Sequence, residues 1–430
     1  MGYQHSVTLD VEKCKGCTHC LNRCPTEAIR IRDGHAVINA NRCIDCGECI
    51  RLCPHKAKRS SFDKLSSMPK DKYKIALPAP TLFGQFTNLD DPDYVIDGLL
   101  NIGFDDVYEV ARAAELVTEY TRRYLKRDDI PLPAISSACP VVVRLVSLRF
   151  PTLVDNLVPI LPPMEIAGRL AREKAKKEHP ELKDEDICTV FISPCPAKVS
   201  YAKNNLCGGK SSVDMVVSLS DVYFELLNAM RKVDSPKNQS QTGMVGLSWP
   251  SSGGEASSLM NDHYLAADGI ENVIRVLEDI EIENHPNLTF VELNACAGGC
   301  VGGVMAVENP YIARVRLRNI RRYLPVTLNH PGPEDPADDI PGCFALDLSD
   351  DEYGHVSRYD ENRKEAIKMM QDVERLFATL PELDCGSCGS PTCRAFAEDV
   401  VRGHAKLEDC ICVMRQKLQE TQKENHHDGS

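Results

Sequence analysis

The chain has 430 residues, of which 43% are hydrophobic, and this is enough for two or three domains that each have a core. Its formal net charge of −13 argues against a nucleic-acid surface, because phosphate contacts need clustered lysines and arginines. No run of about 18 apolar residues is present and the first residues carry no apolar signal-peptide segment, so we predict a cytoplasmic protein with no membrane partner.

Two cysteine runs repeat near the start of the chain. The chain has 20 cysteines, and such density in a cytosolic protein is typical of metal binding rather than of disulfides. Each run has the spacing Cys-x2-Cys-x2-Cys-x3-Cys-Pro, and the second follows about 29 residues after the first, which is the pattern of a ferredoxin with two 4Fe-4S clusters. The fourth cysteine of each run binds the other cluster in that pattern. The expected ligand sets are therefore Cys14, Cys17, Cys20 and Cys53, and Cys43, Cys46, Cys49 and Cys24.

A short hairpin is predicted between these runs. Residues 28–32 and 35–38 alternate apolar and polar side chains around the turn Asp33-Gly34. We therefore predict an α+β ferredoxin domain over residues 1–60. A pair of zinc knuckles is the alternative, but zinc sites do not explain the faithful repetition of this spacing. The polar stretch after Pro54 marks a domain boundary, and the basic stretch from Lys56 to Lys74 is interpreted as a linker.

Strands and helices alternate through residues 61–375, which we assign to one α/β domain. The predicted strands span 75–80, 189–192 and 288–293, and the predicted helices span 94–102, 111–125, 163–177, 220–232 and 269–280. This alternation predicts parallel sheets. Since parallel sheets place their sites at the carboxyl ends of strands, Cys195 and Cys296 become candidates, because each follows a predicted strand.

Four cysteines of this region lie in three separate loops. Cys139 lies in SSACP (136–140), Cys195 in SPCPAK (193–198), and Cys296 and Cys300 in ACAGGCVGG (295–303). A 4Fe-4S cubane needs four thiolates, and glycines let the backbone approach an inorganic group closely. The alternative is that Cys139 and Cys195 are ordinary buried thiols.

These loops, in this order and behind a double ferredoxin pattern, resemble the active-site loops of the iron–iron (FeFe) hydrogenases. The resemblance implies an α/β H-cluster-type domain of two lobes, in which Cys139, Cys195, Cys296 and Cys300 bind a 4Fe-4S cubane. It also implies that Cys300 bridges to a diiron unit with CO and cyanide ligands, and that Lys198 donates a hydrogen bond to a cyanide. The segment SGGEA (252–256) is similar to the family's glycine-bearing loop before a helix.

The chain departs from this family at positions that handle protons. Ala138 stands where active members have the proton-relay cysteine, and a methyl group has neither a donor nor an acceptor. Ser193 and Asn294 stand where prototypical members have methionines. The relay serine aligns with Val158, and the relay glutamate aligns near Thr121. These departures resemble the sensory-type FeFe hydrogenases and imply slow proton transfer.

A third cysteine set lies in residues 376–430. Its spacing is Cys-x2-Cys-x4-Cys-x16-Cys, and its members are Cys385, Cys388, Cys393 and Cys410. It resembles the small iron–sulfur domain of sensory hydrogenases and corrinoid-protein subunits, so we predict a small helical Fe-S domain in which a helix from Arg394 carries the fourth ligand. Zinc is the alternative, because one four-cysteine set suits both metals. From Asp399 to Lys423 an apolar stripe predicts one helix, which either contacts a separate signalling chain or is packed core.

Together these features predict an FeFe-hydrogenase-like redox protein, sensory or of low turnover, that handles H2 and protons and passes electrons along four 4Fe-4S clusters. The expected partner is a redox protein or a signalling chain on the C-terminal helix, and a homodimer is left open. The alternative is a non-catalytic electron-transfer or Fe-S assembly protein of the same fold that lacks the diiron unit. Lys198 favours the first hypothesis, whereas Ala138 favours the second. The remaining cysteines are expected to be ordinary thiols, namely Cys188, Cys207, Cys343 and Cys412.

Overall fold

A computed structural model of the protein describes residues 3–283, 287–332, 340–347 and 363–427. The first part of the chain contains four short strands and two short helices. They are β1 (Val7–Leu9), α1 (His19–Asn22), β2 (Ile29–Arg32), β3 (His35–Ile38), α2 (Glu48–Arg51) and β4 (Lys58–Ser60). Strands β2 and β3 pair antiparallel around the Asp33-Gly34 turn, which confirms the predicted hairpin.

Strand β4 lies in the polar stretch that we interpreted as the start of a linker. It pairs antiparallel with β1, with Val7 opposite Ser60 and Leu9 opposite Lys58, and Lys58 is buried. The linker interpretation is therefore wrong for residues 58–60. The composition of residues 58–60 is unfavourable for a strand. They form one because β1 offers backbone hydrogen bonds, since strand formation depends on the pairing partner more than on intrinsic propensity.

The middle part of the chain alternates strands and helices. The elements are β5 (Tyr73–Pro78), α3 (Asp93–Asn101), β6 (Asp106–Val107), α4 (Val110–Tyr124), β7 (Ala134–Ile135), α5 (Pro140–Arg149), α6 (Pro163–Glu178), β8 (Ile187–Ser193), α7 (Pro196–Lys203), β9 (Met215–Ser218), α8 (Leu219–Met230), α9 (Met244–Ser248), α10 (Gly254–Ser258), β10 (Tyr264–Asp268), α11 (Ile270–Glu281), β11 (Phe290–Asn294) and α12 (Pro310–Arg321).

These strands form two parallel sheets, in the orders β6-β5-β8-β9 and β10-β11-β7. The predicted parallel α/β architecture is confirmed. All seven residues of β8 are buried, as expected for a strand covered on both faces of a parallel sheet. Phe191 at its centre is fully buried, and burying such a side chain stabilises the fold by about 1.5–3 kcal/mol. The core therefore fixes the strand ends from which the cysteine loops leave.

The last part of the chain is helical, with α13 (Arg363–Phe377), α14 (Cys393–Val401) and α15 (Ile411–His427). The prediction of a single helix from Asp399 to Lys423 is wrong, because α14 ends at Val401 and α15 begins only at Ile411. Gly403 has a φ of +74°, a left-handed conformation that commonly ends helices. Cys410 lies just before α15 and not on the helix from Arg394, so that part of the prediction is also wrong. Among the described residues, no helix is long and apolar enough to cross a membrane.

Candidate metal centres

The structure brings the eight cysteines of the repeated runs into two groups. Burial raises the pKa of the Cys20 thiol, and three neighbouring thiols raise it further, namely Cys17, Cys14 and Cys53. In the second group, Cys24 lines one small apolar cavity together with Cys43, Cys46 and Cys49. The groups thus have the crossed membership that the repeat predicts. Burial raises the pKa of Cys49 to about 12, so only a bound cation would hold this thiol as a thiolate at neutral pH. Such thiol sets fit iron–sulfur clusters.

The four cysteines of the dispersed loops also converge. Cys139 lies immediately before α5, and Cys195 lies immediately before α7, so each follows a strand of a different sheet. Burial raises the pKa of Cys195 to about 12, and the charges of Cys139 and Cys300 add to that rise. The pKa of Cys296 is raised by burial and by the same three thiols. A four-thiol donor set at the junction of the two sheets results, and it fits a cubane.

Glycines let the loops of this centre interlock. Gly299 has a φ of +91°, and a Cβ built on it would lie 2.6 Å from both the carbonyl oxygen of Pro250 and the backbone nitrogen of Ser252. A Cβ on Gly303 would lie 2.3 Å from the carbonyl oxygen of Pro194. Real side chains do not fit at such distances, so both positions require glycine. The close packing fixes the loop that carries Cys300 against the loop that carries Cys195.

Lys198 points its ammonium group towards these thiols. Burial lowers the pKa of Lys198, but the neighbouring thiol groups outweigh that effect and raise it when they are ionised, as they would be on a bound cation; they are Cys300, Cys195, Cys139 and Cys296. The side chain is therefore a protonated donor. Its Nζ lies 5.8 Å from the ring centre of Phe191, so the ammonium group is held at an apolar wall.

A cavity of about 50 Å³ opens beside the four-thiol set. Its lining includes Ala138, Cys139, Lys198 and Cys300, and its other walls are mostly apolar. A single water molecule needs about 10–15 Å³ of such volume, so the cavity has room for several waters or a small inorganic group. A thiol and a protonated amine in an apolar chamber fit a diiron unit with anionic ligands.

Three other positions from the sequence analysis do not line this chamber. Ser193 is buried, and its hydroxyl accepts a hydrogen bond from the backbone N–H of Cys195 at 3.1 Å. Its visible role is to shape the cysteine loop. Val158 and Thr121, the positions at or near which we expected the family's relay residues, are both buried. A valine side chain cannot carry a proton.

Two buried glutamates line the same chamber, and the sequence analysis missed both as functional residues. Glu255 lies in the first turn of α10, and Glu292 lies on β11. Burial raises the pKa of Glu255 to about 8, and the charge of Glu292 contributes to the rise. Burial also raises the pKa of Glu292 to about 7. Because two neighbouring carboxylates cannot both ionise cheaply, the pair retains a proton near neutral pH.

Hydrogen bonds connect this pair to the first cysteine loop. The Ser136 hydroxyl donates to Oε2 of Glu255 at 2.7 Å and accepts from the backbone N–H of Ala138 at 3.2 Å. Glu292 accepts from the backbone N–H groups of Gly253 and Ala256 and from Nδ2 of Asn294. A titratable pair is thus held rigidly beside Ala138. The signal in the sequence was the placement of Glu292 in the apolar strand FVELN, since buried glutamates are rare unless paired.

The C-terminal cysteines also gather. Burial raises the pKa of Cys388, with further contributions from Cys410 and Cys385. Cys412, which we expected to be an ordinary thiol, lies beside this set. Burial raises its pKa, and the neighbouring thiols Cys410, Cys385 and Cys393 raise it further.

This C-terminal part contacts the ferredoxin region through the β2–β3 hairpin. The Asp399 carboxylate accepts from Nε of Arg30 at 2.5 Å and from Nη2 of Arg32 at 2.8 Å. The backbone N–H of Ile31 donates to the carbonyl of Gly389 at 2.8 Å. The side chain of Asp399 is only 11% exposed, so these are largely desolvated ion pairs. Loss of one partner from such a pair is costly, and the contact is therefore specific.

The ferredoxin region in turn contacts the dispersed centre. Nη2 of Arg51 donates to the carbonyl of Gly302 at 3.0 Å, and Nη2 of Arg144 donates to the carbonyl of Cys43 at 3.3 Å. The buried Asp45 carboxylate accepts from the Ser200 hydroxyl at 2.7 Å. The second ferredoxin set therefore lies next to the loop that carries Cys300.

Comparisons with known proteins match the three regions separately. The family model described as iron only hydrogenase large subunit, C-terminal domain, matches residues 72–240 and 251–304. A 4Fe-4S dicluster model matches residues 6–54, and an Fe-S cluster model matches residues 380–412. The chain therefore carries iron–sulfur domains on both sides of the α/β region.

Two curated relatives are hydrogenases. The periplasmic Fe hydrogenase large subunit of Nitratidesulfovibrio vulgaris is 32% identical over 213 residues, which is 45% of this chain and 50% of that protein. Iron hydrogenase 1 of Clostridium pasteurianum is 23% identical over 397 residues, which is 74% of this chain and 68% of that protein. The chain thus spans only half the length of the first relative.

Solved FeFe-hydrogenase structures are also similar. One, described in connection with stepwise H-cluster assembly, aligns with a TM-score of 0.49 and 15% identity over 60% of this chain and 88% of that chain. Another, from Chlamydomonas reinhardtii, aligns with a TM-score of 0.47 and 15% identity over 58% and 86%. Since the hydrogenase family model alone matches more than half of the 430 residues, the chain belongs to the family of iron-only (FeFe) hydrogenase large subunits.

Proposed function

We propose that this protein is a slow or sensory FeFe-hydrogenase that holds a diiron unit beside Cys300 and Lys198. The observation that carries this proposal is the chamber in which a thiol, a protonated amine and a buried carboxyl pair meet. When bound, the diiron unit would supply the metal at which H2 is taken up or released. Cys300 would bridge to it, and Nζ of Lys198 would donate a hydrogen bond to an anionic ligand.

The glutamate pair would store the proton, because the methyl side chain of Ala138 cannot hold one. Glu255 has a raised pKa and a hydrogen bond to Ser136, which itself contacts the backbone of Ala138. A proton can be held at Oε2 of Glu255 and shared with Glu292 without an excess charge in the apolar chamber. A positioned acid–base group contributes about 100-fold to 10,000-fold to a proton-transfer step. Slow turnover would follow if this store is less well placed than a cysteine at position 138.

Electrons would pass along four 4Fe-4S clusters, or about sixteen irons before any diiron unit. The order that the contacts favour runs from the C-terminal set to the ferredoxin sets and then to the set that includes Cys300, because Asp399 docks on the β2–β3 hairpin and Arg51 contacts Gly302. Helix α15 exposes Ile411, Met414 and Leu418. This apolar side would be the contact for a separate signalling chain.

The decisive experiment combines infrared spectroscopy with one variant. Full-length protein is reconstituted with iron and sulfide and then loaded with the diiron cofactor. Bound CO and cyanide should absorb where proteins do not. At matched diiron occupancy, Glu255→Gln should lower hydrogen evolution by about 100-fold to 10,000-fold. The control Glu225→Gln changes an exposed glutamate on α8 and should leave the rate unchanged.

A non-catalytic electron-transfer or assembly role is the second candidate, and Ala138 is the observation that favours it. A chain with intact cluster signals but no CO or cyanide bands after loading would establish that role instead. Bands without any effect of Glu255→Gln on the rate would retain the hydrogenase but reject the glutamate pair as its proton store.

A further inference from the structure

A second, polar cavity of about 120 Å³ lies on the outer side of the loop that precedes α10. One wall is the serine- and glycine-rich segment 251–254, and the opposite wall is helix α12. Three arginines of α12 line it, spaced so that they share one helix face, namely Arg314, Arg318 and Arg321. Leu317 is buried between them and anchors that face to the core.

The positive charge of this cavity is not neutralised within the described part of the chain. No carboxylate is among the residues that line it. In the same part of the chain no ion pair is formed by Arg314, Arg318 or Arg321, although Arg316 on the neighbouring face pairs with Glu308. Burial and the charge of Arg318 lower the pKa of Arg321. Cations that face one another without a counter-ion favour binding of an anion.

The cavity also offers hydrogen-bond donors. Nη1 of Arg321 donates to the Ser248 hydroxyl at 2.7 Å, and this contact orients the guanidinium towards the loop. Ser251 and Ser252 also line the cavity, and among the described residues their hydroxyls form no hydrogen bond. A helix dipole accounts for arginines in the last turn of α12, but it does not account for their convergence on a serine loop.

We propose that Arg314, Arg318 and Arg321, with the hydroxyls of Ser251 and Ser252, form a binding site for a small tetrahedral oxyanion of the phosphate class. Guanidinium groups recognise such oxygens through paired charge-assisted hydrogen bonds. Sites for drug-sized ligands occupy about 300–1,000 Å³, so a cavity of 120 Å³ takes a single phosphate group rather than a whole nucleotide.

The site lies on the reverse side of the loop that supports the glutamate pair. The backbone N–H of Gly253 donates to Glu292 at 3.0 Å, and that of Ser252 donates to the carbonyl of Gly298 at 3.0 Å. An anion bound to the outer face of this segment would hold it in place from the opposite side. Phosphate binding at these arginines does not depend on the presence of a diiron unit.

Isothermal titration calorimetry with inorganic phosphate tests this site in the full chain with its clusters reconstituted, at constant ionic strength and without oxygen. The parent protein should bind one phosphate in a saturable manner. Arg318→Gln and Arg321→Gln should each weaken binding roughly tenfold to hundredfold. The control Arg322→Gln removes the same charge from an exposed neighbour that does not line the cavity, and it should bind phosphate as the parent does.

The proposal would be overturned if the parent showed no saturable binding of phosphate. It would also be overturned if the Arg318→Gln and Arg322→Gln proteins bound phosphate equally, because equal losses would indicate a general attraction to positive charge. A parallel titration with adenosine monophosphate distinguishes a free oxyanion from a nucleotide. Markedly tighter binding of the nucleotide would reject the assignment to a single small oxyanion. Because Arg318 is exposed, its variant should fold, and unchanged circular dichroism verifies that.

Discussion

The compact and the dispersed cysteine sites of this chain are assembled in opposite ways. In the ferredoxin region, three thiols of each set come from a single short run such as Cys14 to Cys20, so local chain geometry gathers them. In the α/β region, Cys139, Cys195 and the Cys296–Cys300 loop leave different strands of two sheets. The dispersed site therefore exists only when both sheets are packed, whereas the compact sites depend mainly on their own loops.

The surroundings of the two kinds of site differ as well. The compact sets lie among contacts between domains, such as the hydrogen bonds from Arg51 to the carbonyl of Gly302 and from Arg144 to the carbonyl of Cys43. The dispersed set opens onto a chamber with two carboxyl groups of raised pKa, Glu255 and Glu292. This difference suits electron storage at the compact sets and proton chemistry at the dispersed one.

The largest expected effect is at Cys300, the thiol that we expect to bridge to the diiron unit. Cys300→Ala should abolish the CO and cyanide bands of loaded protein while the ferredoxin signals persist, because the compact sets do not use this thiol. Infrared and electron paramagnetic resonance spectra of one sample measure both. Cys343→Ala, at an exposed cysteine outside every set, is the control. CO and cyanide bands that persist in the Cys300→Ala protein would contradict the assignment of Cys300 to the diiron unit.

Gly299 offers a second way to separate the sites without removing a ligand. Gly299→Ala adds a methyl group against the backbone of Pro250 and Ser252 in a left-handed conformation, which should cost about 2–4 kcal/mol in local stability. The iron content should fall by one cluster. Gly103→Ala is matched, because Gly103 has a φ of +108° but no atom within 4 Å of the added carbon, and it should keep all the iron. Equal iron losses in both variants would show that backbone strain alone, and not interlocking loops, is responsible.

Sequence reasoning succeeded where local rules decide the structure. The repeat spacing, the hairpin turn at Asp33-Gly34 and the β-branched and aromatic residues of strand β8 all act over a few residues, and the structure follows each of them. It failed where a distant partner decides. Strand β4 forms because β1 lies beside it. The other failure was local, since α14 ends at Val401 and Gly403 follows it in a left-handed conformation, within a segment whose apolar stripe predicted one continuous helix.

The candidate site divides along the same line. The thiol sets could be predicted from spacing or from resemblance, whereas the pairing of Glu255 with Glu292 could not. These residues belong to α10 and β11, and only the packing of the helix on that strand brings the carboxyl groups together. Glu292 in the strand FVELN carries a local signal of burial, but nothing in that pattern identifies its partner, and Glu255 has no local pattern that separates it from a solvated side chain. Buried charge pairs are a property of tertiary structure.

Ala138 tests whether the dispersed site has its own proton store. Ala138→Cys should raise hydrogen evolution in the parent by less than the full range of about 100-fold to 10,000-fold, because Glu255 would already supply a less well placed acid–base group. In a Glu255→Gln background the same change should raise the rate by more, within the range of about 100-fold to 10,000-fold expected for a relay group. The four proteins are compared at matched diiron occupancy. Equal gains in both backgrounds would show that the cysteine and the glutamate act independently, and the proposed store would be rejected.

The smallest expected effect is on stability as a function of pH, and it isolates Glu255 without any diiron unit. The pKa of this carboxyl rises from an ordinary 4.5 to about 8 in the folded protein, so the folded state binds more protons than the unfolded state in that interval. The free energy of unfolding should therefore fall as the pH rises from 4.5 towards 8, by about 1 kcal/mol or more from this group. Glu255→Gln removes the titratable carboxyl group but retains a hydrogen-bonding partner for Ser136. The melting temperature of the parent relative to this variant should decrease by about 1 °C for each kcal/mol across that range, while Glu225→Gln should follow the parent. A difference between parent and Glu255→Gln that does not change with pH would mean that Glu255 is already ionised at low pH. The chamber would then hold a fixed negative charge instead of an exchangeable proton.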